Sequence, residues 1–158
     1  ERLPVADAFA RYGSVPLEMA LAQDRFEEVL ALEIEPRLGS PKPTLLFDYP
    51  LAFGSLARRK AGNPAAAERF EIYIGGLELA NGFSELTDAE EQRRRFEKEN
   101  ELRLRRGRRP YPMPEAFLRD LSRMPEAAGI AVGIDRVVML FADASSIDEV
   151  VAFVPEGL

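Results

Sequence analysis

One short segment carries side chains of the types that form a ligand pocket. It reads Glu78-Leu79-Ala80-Asn81-Gly82-Phe83-Ser84-Glu85, and in a regular strand Asn81, Phe83 and Glu85 point to the same face. A carboxylate can pair with an ammonium group, a ring can cover an aliphatic chain, and an amide can fix orientation. The pattern predicts a pocket for an amine-bearing ligand, although an edge strand with a polar solvent face would share it.

Glu78 has the opposite parity to Glu85 along this segment. The two carboxylates can face one space only if the strand contains a β-bulge, and Gly82 is the position where a strand can bend. Two carboxylates facing one space are typical ligands of a hard cation, such as Mg²⁺ on a nucleotide. The sequence therefore predicts a metal pair at Glu78 and Glu85, provided that the strand is bulged.

A second segment, from Gly129 to Arg136, predicts a strand that passes directly into a helix. Free backbone N–H groups at a helix start favour anions. Arg136, in the first turn, could contact phosphate or stack on an adenine ring. Gly129 and Gly133 would let a ligand approach the backbone closely. The alternative is a buried Asp135–Arg136 pair at a helix cap.

A third feature is a run of basic residues at the far end of a predicted long helix. Its members are Arg93, Arg94, Arg95, Lys98, Arg103, Arg105, Arg106, Arg108 and Arg109. The run could meet an acidic protein or RNA phosphates. Interleaved glutamates dilute the positive field, so a solvated helix end favoured by the helix macrodipole is the alternative.

The elements that must position these residues follow from local patterns. Alternation over Arg69–Ile74 and Leu77–Glu85, joined by Gly75-Gly76, predicts a β-hairpin with the face of Phe70, Ile72 and Ile74 apolar. A capping box of Thr87 with Glu90 predicts the start of the long helix. Further predicted elements are a helical first 40 residues, a buried strand over 44–49, a helix over 114–123 and a buried helix over 135–141.

Composition excludes several classes of protein. Among 158 residues there is no cysteine and no histidine, which removes thiol catalysis, His-based triads and nearly all zinc sites. The net charge of −6 argues against a broad nucleic-acid-binding surface. No apolar run approaches the roughly 20 residues that span a bilayer. These observations predict a cytoplasmic protein with no membrane partner, whose chemistry would use carboxylates, arginines, amides and a bound metal or nucleotide.

The segment from Glu68 to Phe96 resembles the catalytic core of class II lysyl-tRNA synthetases, and Gly129–Arg136 resembles their motif 3. Asp48-Tyr49-Pro50 and Ser55-Leu56-Ala57-Arg58 match the family's residues ahead of the hairpin, so the resemblance covers about residues 41–153. It implies an α+β fold in which helices flank an antiparallel sheet of six strands in the whole domain. Residues 1–158 would form the C-terminal portion of a class II catalytic domain, with motif 3 at 129–141.

One branch of that superfamily fits better. Val5–Tyr12 and Ile147–Phe153 are similar to segments of the short paralogs that attach β-lysine to a lysine of elongation factor P, and Ala131 replaces a glycine usual in lysyl-tRNA synthetases. The resemblance implies a homodimeric ligase that activates lysine or β-lysine with ATP as an adenylate and transfers it to elongation factor P. Transfer to tRNA, as by a lysyl-tRNA synthetase, and a non-catalytic interaction module are the alternatives.

The resemblance also implies a role for each matching position. Glu78, Leu79, Gly133 and Arg136 would bind ATP, with Mg²⁺ held by Glu78 and Glu85. Asn81, Phe83, Glu85 and Ala131 would bind the amino acid, and Arg136 and Glu85 would take part in catalysis. Motif 1 and the Phe-Arg-x-Glu strand of motif 2 are absent from the chain. The 158 residues alone are therefore predicted not to catalyse adenylation, whereas the retained Glu78, Glu85 and Arg136 argue against a non-catalytic module.

Overall fold

A five-stranded sheet with the order β1-β2-β3-β4-β5 organises the computed structural model, which describes residues 1–154. The strands are β1 Arg2–Pro4, β2 Thr44–Pro50, β3 Ala66–Ile74, β4 Leu77–Ser84 and β5 Ala128–Val132. Strand β1 is parallel to β2, and the other neighbours are antiparallel. The predicted α+β class is confirmed. The sheet is mixed because of β1, which lies within residues predicted as helical and is too short to show a periodicity.

Within residues 1–154, six α-helices accompany the sheet. They are α1 Val5–Tyr12, α2 Leu17–Ala22, α3 Phe26–Val29, α4 Ala89–Arg105, α5 Glu115–Leu121 and α6 Ile134–Ala142. A π-turn, Leu30–Ile34, and a 3₁₀ turn, Glu35–Arg37, continue α3. Helices α1 to α3 together with the π-turn supply eight of the thirteen buried residues of the core, in which the rings of Phe9 and Phe26 stack 5.3 Å apart.

The turn of the hairpin and the start of α4 were both predicted from local sequence, the first correctly and the second one residue too early. Gly75 and Gly76 both have positive φ, 59° and 77°, as a two-residue type I′ turn requires, so the predicted hairpin is confirmed. The predicted capping box at Thr87 is wrong by one residue. Asp88 is the cap, and its carboxylate accepts hydrogen bonds from the backbone N–H groups of Glu90 and Glu91.

Strand register defines one face that runs across the whole sheet. Leu3 pairs with Leu46, Leu46 with Glu71, Glu71 with Asn81, and Asn81 with Ala131. Residues paired across neighbouring strands point to the same face, so these five side chains lie on one side. The core built by α1 to α3 includes Leu3 and Leu46 and therefore covers the β1–β2 end of this face. The β4–β5 end of the same face bears the cavity described below.

The predicted burial of the motif 3 helix is wrong for the part of the chain that the structure describes. Strand β5 and helix α6 contain no buried residue, and Phe141 is 90% exposed. The apolar pattern of these elements is real, but within residues 1–154 β5 is an edge strand without a further neighbour. The apolar pattern of β5 and α6 indicates a surface suited to burial, and residues 1–154 do not cover that surface.

Gly39→Ala is expected to lower the free energy of unfolding of the chain by about 2–4 kcal/mol. Gly39 has φ +78°, and an added Cβ would lie 2.5 Å from the Ile74 Cα. The matched control is Gly62→Ala, because Gly62 also has φ +78° but has nothing within 4 Å of the added carbon. Urea unfolding followed by circular dichroism measures both. Equal losses for the two variants would contradict a steric contribution at Gly39.

Candidate functional site

A cavity of about 350 Å³ lies between β4, the end of β5 and the start of α6. Its lining includes six residues that the sequence singled out: Glu78, Leu79, Asn81, Ala131, Gly133 and Arg136. Asp135 and Ile147 complete the wall on the helix side. Phe83 and Glu85 are not part of the lining. The structure thus brings together the residues predicted for the nucleotide with two of those predicted for the amino acid.

A β-bulge places Glu78 in this cavity. Ile72 pairs with Ala80, and the next residue, Tyr73, pairs with Glu78, so Leu79 is the extra residue of β4. The bulge turns Glu78 to the face of Asn81, as the sequence analysis required. Its predicted position at Gly82 is wrong. Gly82 pairs regularly with Phe70, and a Cβ at Gly82 would lie 2.6 Å from the Phe70 ring, so this glycine makes room for an aromatic side chain.

Helix α6 is fastened to the bulge by its first turn. The Arg136 Nη1 donates to the backbone oxygen of Glu78 at 2.7 Å and lies 3.4 Å from the Glu78 carboxylate. The backbone N–H of Gly133 donates to the Leu79 oxygen at 2.8 Å. A Cβ at Gly133 would make only ordinary contacts, the nearest at 3.5 Å from Arg136 Cδ. Packing within the chain therefore does not demand glycine at 133, although its small size keeps this part of the cavity wall open.

A buried carboxylate behind Asn81 escaped the sequence analysis. Glu71 is 5% exposed and accepts four hydrogen bonds. Its Oε2 accepts from the hydroxyls of Tyr49 and Tyr73 at 2.5 and 2.6 Å. Its Oε1 accepts from Arg69 at 2.6 Å and from the Asn81 amide at 3.3 Å. The turn at Gly75-Gly76 pairs Tyr73 with Glu78, but only the bulge at Leu79 brings Asn81 opposite Glu71. The sequence alone would therefore place Glu71 and Asn81 on opposite faces of the hairpin.

Burial shifts the ionisation of the groups around this carboxylate. Burial and then the charge of Glu71 raise the pKa of Glu78, and Arg136 opposes the shift. Burial likewise raises the pKa of Glu35, which faces the same charges from the 3₁₀ turn. Burial is also the main reason why the pKa values of Tyr49 and Tyr73 are raised. Both phenols therefore keep their protons and act as donors to Glu71.

Phe83 and Glu85 continue the same face beyond the cavity. Phe83 pairs with Arg69 on one side and with Gly129 on the other. The Glu85 carboxylate lies beside Gly129, where an added Cβ would be 3.0 Å from its Oε1. Within residues 1–154 no cluster of three or more acidic side chains is placed to hold a metal ion. Of the predicted pair of carboxylates, Glu78 is in the cavity lining and Glu85 is not.

The basic run divides into a structural part and an exposed part. Arg93 makes a two-pronged ion pair with Glu115, and Arg95 donates to the backbone oxygens of Ser55 and Ala57. These contacts hold α5 and the segment before β3 against α4. At the end of α4 and just beyond it the side chains are exposed, in agreement with the solvated helix end that was the alternative: Arg105, Arg106, Arg108 and Arg109.

Glu78→Gln is expected to remove a pH-dependent component of stability. A carboxyl group whose pKa is raised on folding binds its proton more tightly in the folded state, so stability falls as pH rises from its ordinary value through the raised one. Unfolding midpoints of wild type and variant, measured between about pH 4 and pH 7, should converge or cross as the pH falls, with the variant relatively more stable at neutral pH. A constant difference at all pH values would show that ionisation of Glu78 does not destabilise the folded protein.

Comparisons with known proteins identify the family of the chain. The profile of the family described as tRNA synthetases class II (D, K and N) matches residues 2–156. A protein of Salmonella gallinarum named elongation factor P–(R)-β-lysine ligase is 44% identical over 126 residues, which are 79% of this chain and 39% of that protein. The protein of the same name from Proteus mirabilis is 46% identical over 121 residues, 76% of this chain and 37% of that protein.

The chain therefore spans about two fifths of the length of the curated relatives that it matches, 37–39%. Every helix within residues 1–154 is too short or too polar to span a bilayer.

Proposed function

Because the chain belongs to the class II (D, K and N) tRNA synthetase family, we propose that it forms the C-terminal part of a ligase's catalytic domain. The ligase activates lysine or β-lysine with ATP as an adenylate and transfers it to a lysine of elongation factor P. The single observation that carries the proposal is the cavity in which Glu78, Asn81 and Arg136 meet at the bulge of β4. The name of the relatives, elongation factor P–(R)-β-lysine ligase, supports elongation factor P as the acceptor.

The cavity has separate features for an anion and for an amino acid. Arg136 and the start of α6 would face the phosphates and the adenine, because a guanidinium can pair with phosphate or stack on a ring. The Glu78 backbone oxygen, already bonded to Arg136, would hold that guanidinium in place. Leu79 and Gly133 would lie against the nucleotide, while Asn81 and Ala131 would contact the amino acid.

Mg²⁺ fits this donor set as a partly coordinated ion. Glu78 is a carboxylate in the cavity lining, and hard cations on nucleotides take their remaining ligands from phosphate and water. When bound, the ion would neutralise phosphate charge during attack on ATP. Glu85, with Phe83, is proposed to act further along the face, near the amine of the substrate.

The proposed ligase is a homodimer in the cytoplasm. The second candidate function is the charging of tRNA with lysine, because the matched family includes the lysine (K) enzymes.

The test is ATP–pyrophosphate exchange by the full-length protein with α-lysine and (R)-β-lysine in parallel. We expect faster exchange with β-lysine, and Ala131→Gly is expected to shift the preference towards α-lysine by about 10-fold or more. The reason is that Ala131 lies in the cavity wall beside Asn81, where one methyl group alters the space for the backbone amine.

Exchange followed by transfer to elongation factor P would support the ligase, whereas exchange with transfer only to tRNA would favour the second candidate. Absence of exchange with either amino acid would contradict both. The 158 residues alone are proposed to be inactive, since they carry no Phe-Arg-x-Glu segment, and measurable turnover by them would contradict that statement.

A further inference from the structure

Asn81 is held through both atoms of its amide group. Its Oδ1 accepts from the Arg69 Nε at 3.4 Å, and its Nδ2 donates to the Glu71 Oε1 at 3.3 Å. Arg69 offers only donors and Glu71, when ionised, only acceptors. A flipped amide would place its nitrogen against the guanidinium and its oxygen against the carboxylate. The pair therefore fixes which way round the amide lies.

The two residues that hold the amide are themselves immobilised. Arg69 donates to Glu71 at 2.6 Å and to the Phe53 backbone oxygen at 2.7 Å. Its guanidinium carbon lies 4.4 Å from the centre of the Tyr49 ring. The second oxygen of Glu71 is taken by the hydroxyls of Tyr49 and Tyr73. A carboxylate with four donors and an arginine with a stacked, forked geometry have little freedom to rearrange.

This orientation leaves a defined pattern of hydrogen-bonding capacity in the cavity. An amide has two N–H donors and two oxygen lone pairs, and Arg69 and Glu71 engage one of each. One donor and one acceptor on Asn81, which lines the cavity, remain for a ligand. Such a pattern suits an amino acid that presents an ammonium group and a carboxyl oxygen close together.

We propose that Arg69 and Glu71 are positioning residues that set the orientation of Asn81 and so determine affinity for the amino acid substrate. This inference rests on the proposed function. In a purely structural role Arg69 and Glu71 would affect the whole fold, whereas here their effect on substrate affinity acts through the amide group of Asn81. Nucleotide binding, at Arg136 and Leu79, should be independent of it.

The experiment is a double-mutant cycle in the full-length protein, read as the KM for the preferred amino acid in ATP–pyrophosphate exchange. Arg69→Lys keeps the charge but replaces the Nε donor with a methylene group. It is expected to raise that KM by about threefold to tenfold and to leave the KM for ATP within about twofold. In an Asn81→Ala background, Arg69→Lys should raise the KM no further.

Arg58→Lys is the matched control. Arg58 also uses its Nε as a donor to a side chain of the sheet: its Nε and Nη2 both donate to the Glu68 Oε2, at 3.1 and 2.8 Å, and Arg58 is not part of the cavity lining. It should change neither KM. If Arg69→Lys fails to fold, as judged by circular dichroism, Glu71→Asp takes its place in the cycle because it withdraws the carboxylate from Asn81.

Additive effects of the Arg69 and Asn81 substitutions, or an equal rise in both KM values, would overturn the inference. Failure of the proposed function has a different signature, namely wild-type protein without exchange. The inference is then decided by the side-chain amide resonances of Asn81 in nuclear magnetic resonance, assigned by their loss in Asn81→Ala. Arg69→Lys should shift these resonances and Arg58→Lys should not, and unchanged resonances in both variants would overturn it.

Discussion

Arg136→Ala is expected to reduce ATP–pyrophosphate exchange by the full-length protein by about 100-fold or more. Arg136 is the one arginine in the cavity lining within the described residues, and its Nη1 is fixed by the Glu78 backbone oxygen. A fixed guanidinium stabilises phosphate charge without reorganising during the reaction. The substitution removes both the charge and the link between α6 and the bulge of β4.

Two further variants separate these contributions. Arg136→Lys keeps a positive charge but loses the planar fork, so we expect exchange between that of alanine and wild type. Arg123→Ala removes an exposed arginine that is 4.0 Å from Asp120 and should leave exchange unchanged. If Arg136→Ala retains more than about a third of wild-type exchange, the cavity at the bulge is not the nucleotide site.

The features predicted correctly from the sequence depend on local chemistry. Two consecutive glycines specify the turn of the hairpin because type I′ geometry needs positive φ at both positions. The break from β5 to α6 at Gly133 is marked by apolar periodicity on either side. The family resemblance, now matched over residues 2–156, identified this strand and helix as similar to motif 3. Six of the eight predicted site residues consequently meet in one cavity.

The bulge shows the limit of that reasoning. Parity along β4 established that Glu78 and Glu85 cannot share a face without an extra residue, but any residue between them could have been the extra one. Gly82 was chosen for its conformational freedom, whereas its lack of a Cβ is used to accommodate the Phe70 ring. Pairing with β3 decides the position, and pairing is a property of two strands rather than one.

The more deeply buried face of β3 is the one opposite its apolar face, for a related reason. Alternation favours the side of Phe70, Ile72 and Ile74 as the core, yet Glu71 and Tyr73 are the more deeply buried residues. A carboxylate can be buried if its lone pairs are satisfied, and all four donors to Glu71 come from the sheet: Tyr49 of β2, Arg69 and Tyr73 of β3, and Asn81 of β4. Apolar alternation cannot reveal such a network, because Arg69 compensates the charge of Glu71 and neutral donors from β2 and β4 complete its hydrogen bonds.

Glu71→Ala is expected to lower the free energy of unfolding by about 3–5 kcal/mol, the largest stability effect among the variants discussed. The substitution leaves the hydroxyls of Tyr49 and Tyr73 and the guanidinium of Arg69 without their shared acceptor. Both tyrosines are almost completely buried, so water cannot readily replace the lost carboxylate. Unpaired buried donors carry their full desolvation cost.

Glu68→Ala on the same strand is the matched control. Glu68 is paired with Arg58, whose side chain is 38% exposed, and ion pairs of this kind contribute only about 0–1 kcal/mol. Urea unfolding curves of wild type and both variants, followed by circular dichroism, give the comparison. The triple variant Glu71→Leu, Tyr49→Phe, Tyr73→Phe should regain part of the loss, because it removes the unpaired hydroxyls together with the carboxylate. Equal losses for Glu71→Ala and Glu68→Ala would mean that the network behind Asn81 does not stabilise the fold, which would leave the orientation of Asn81 as its role.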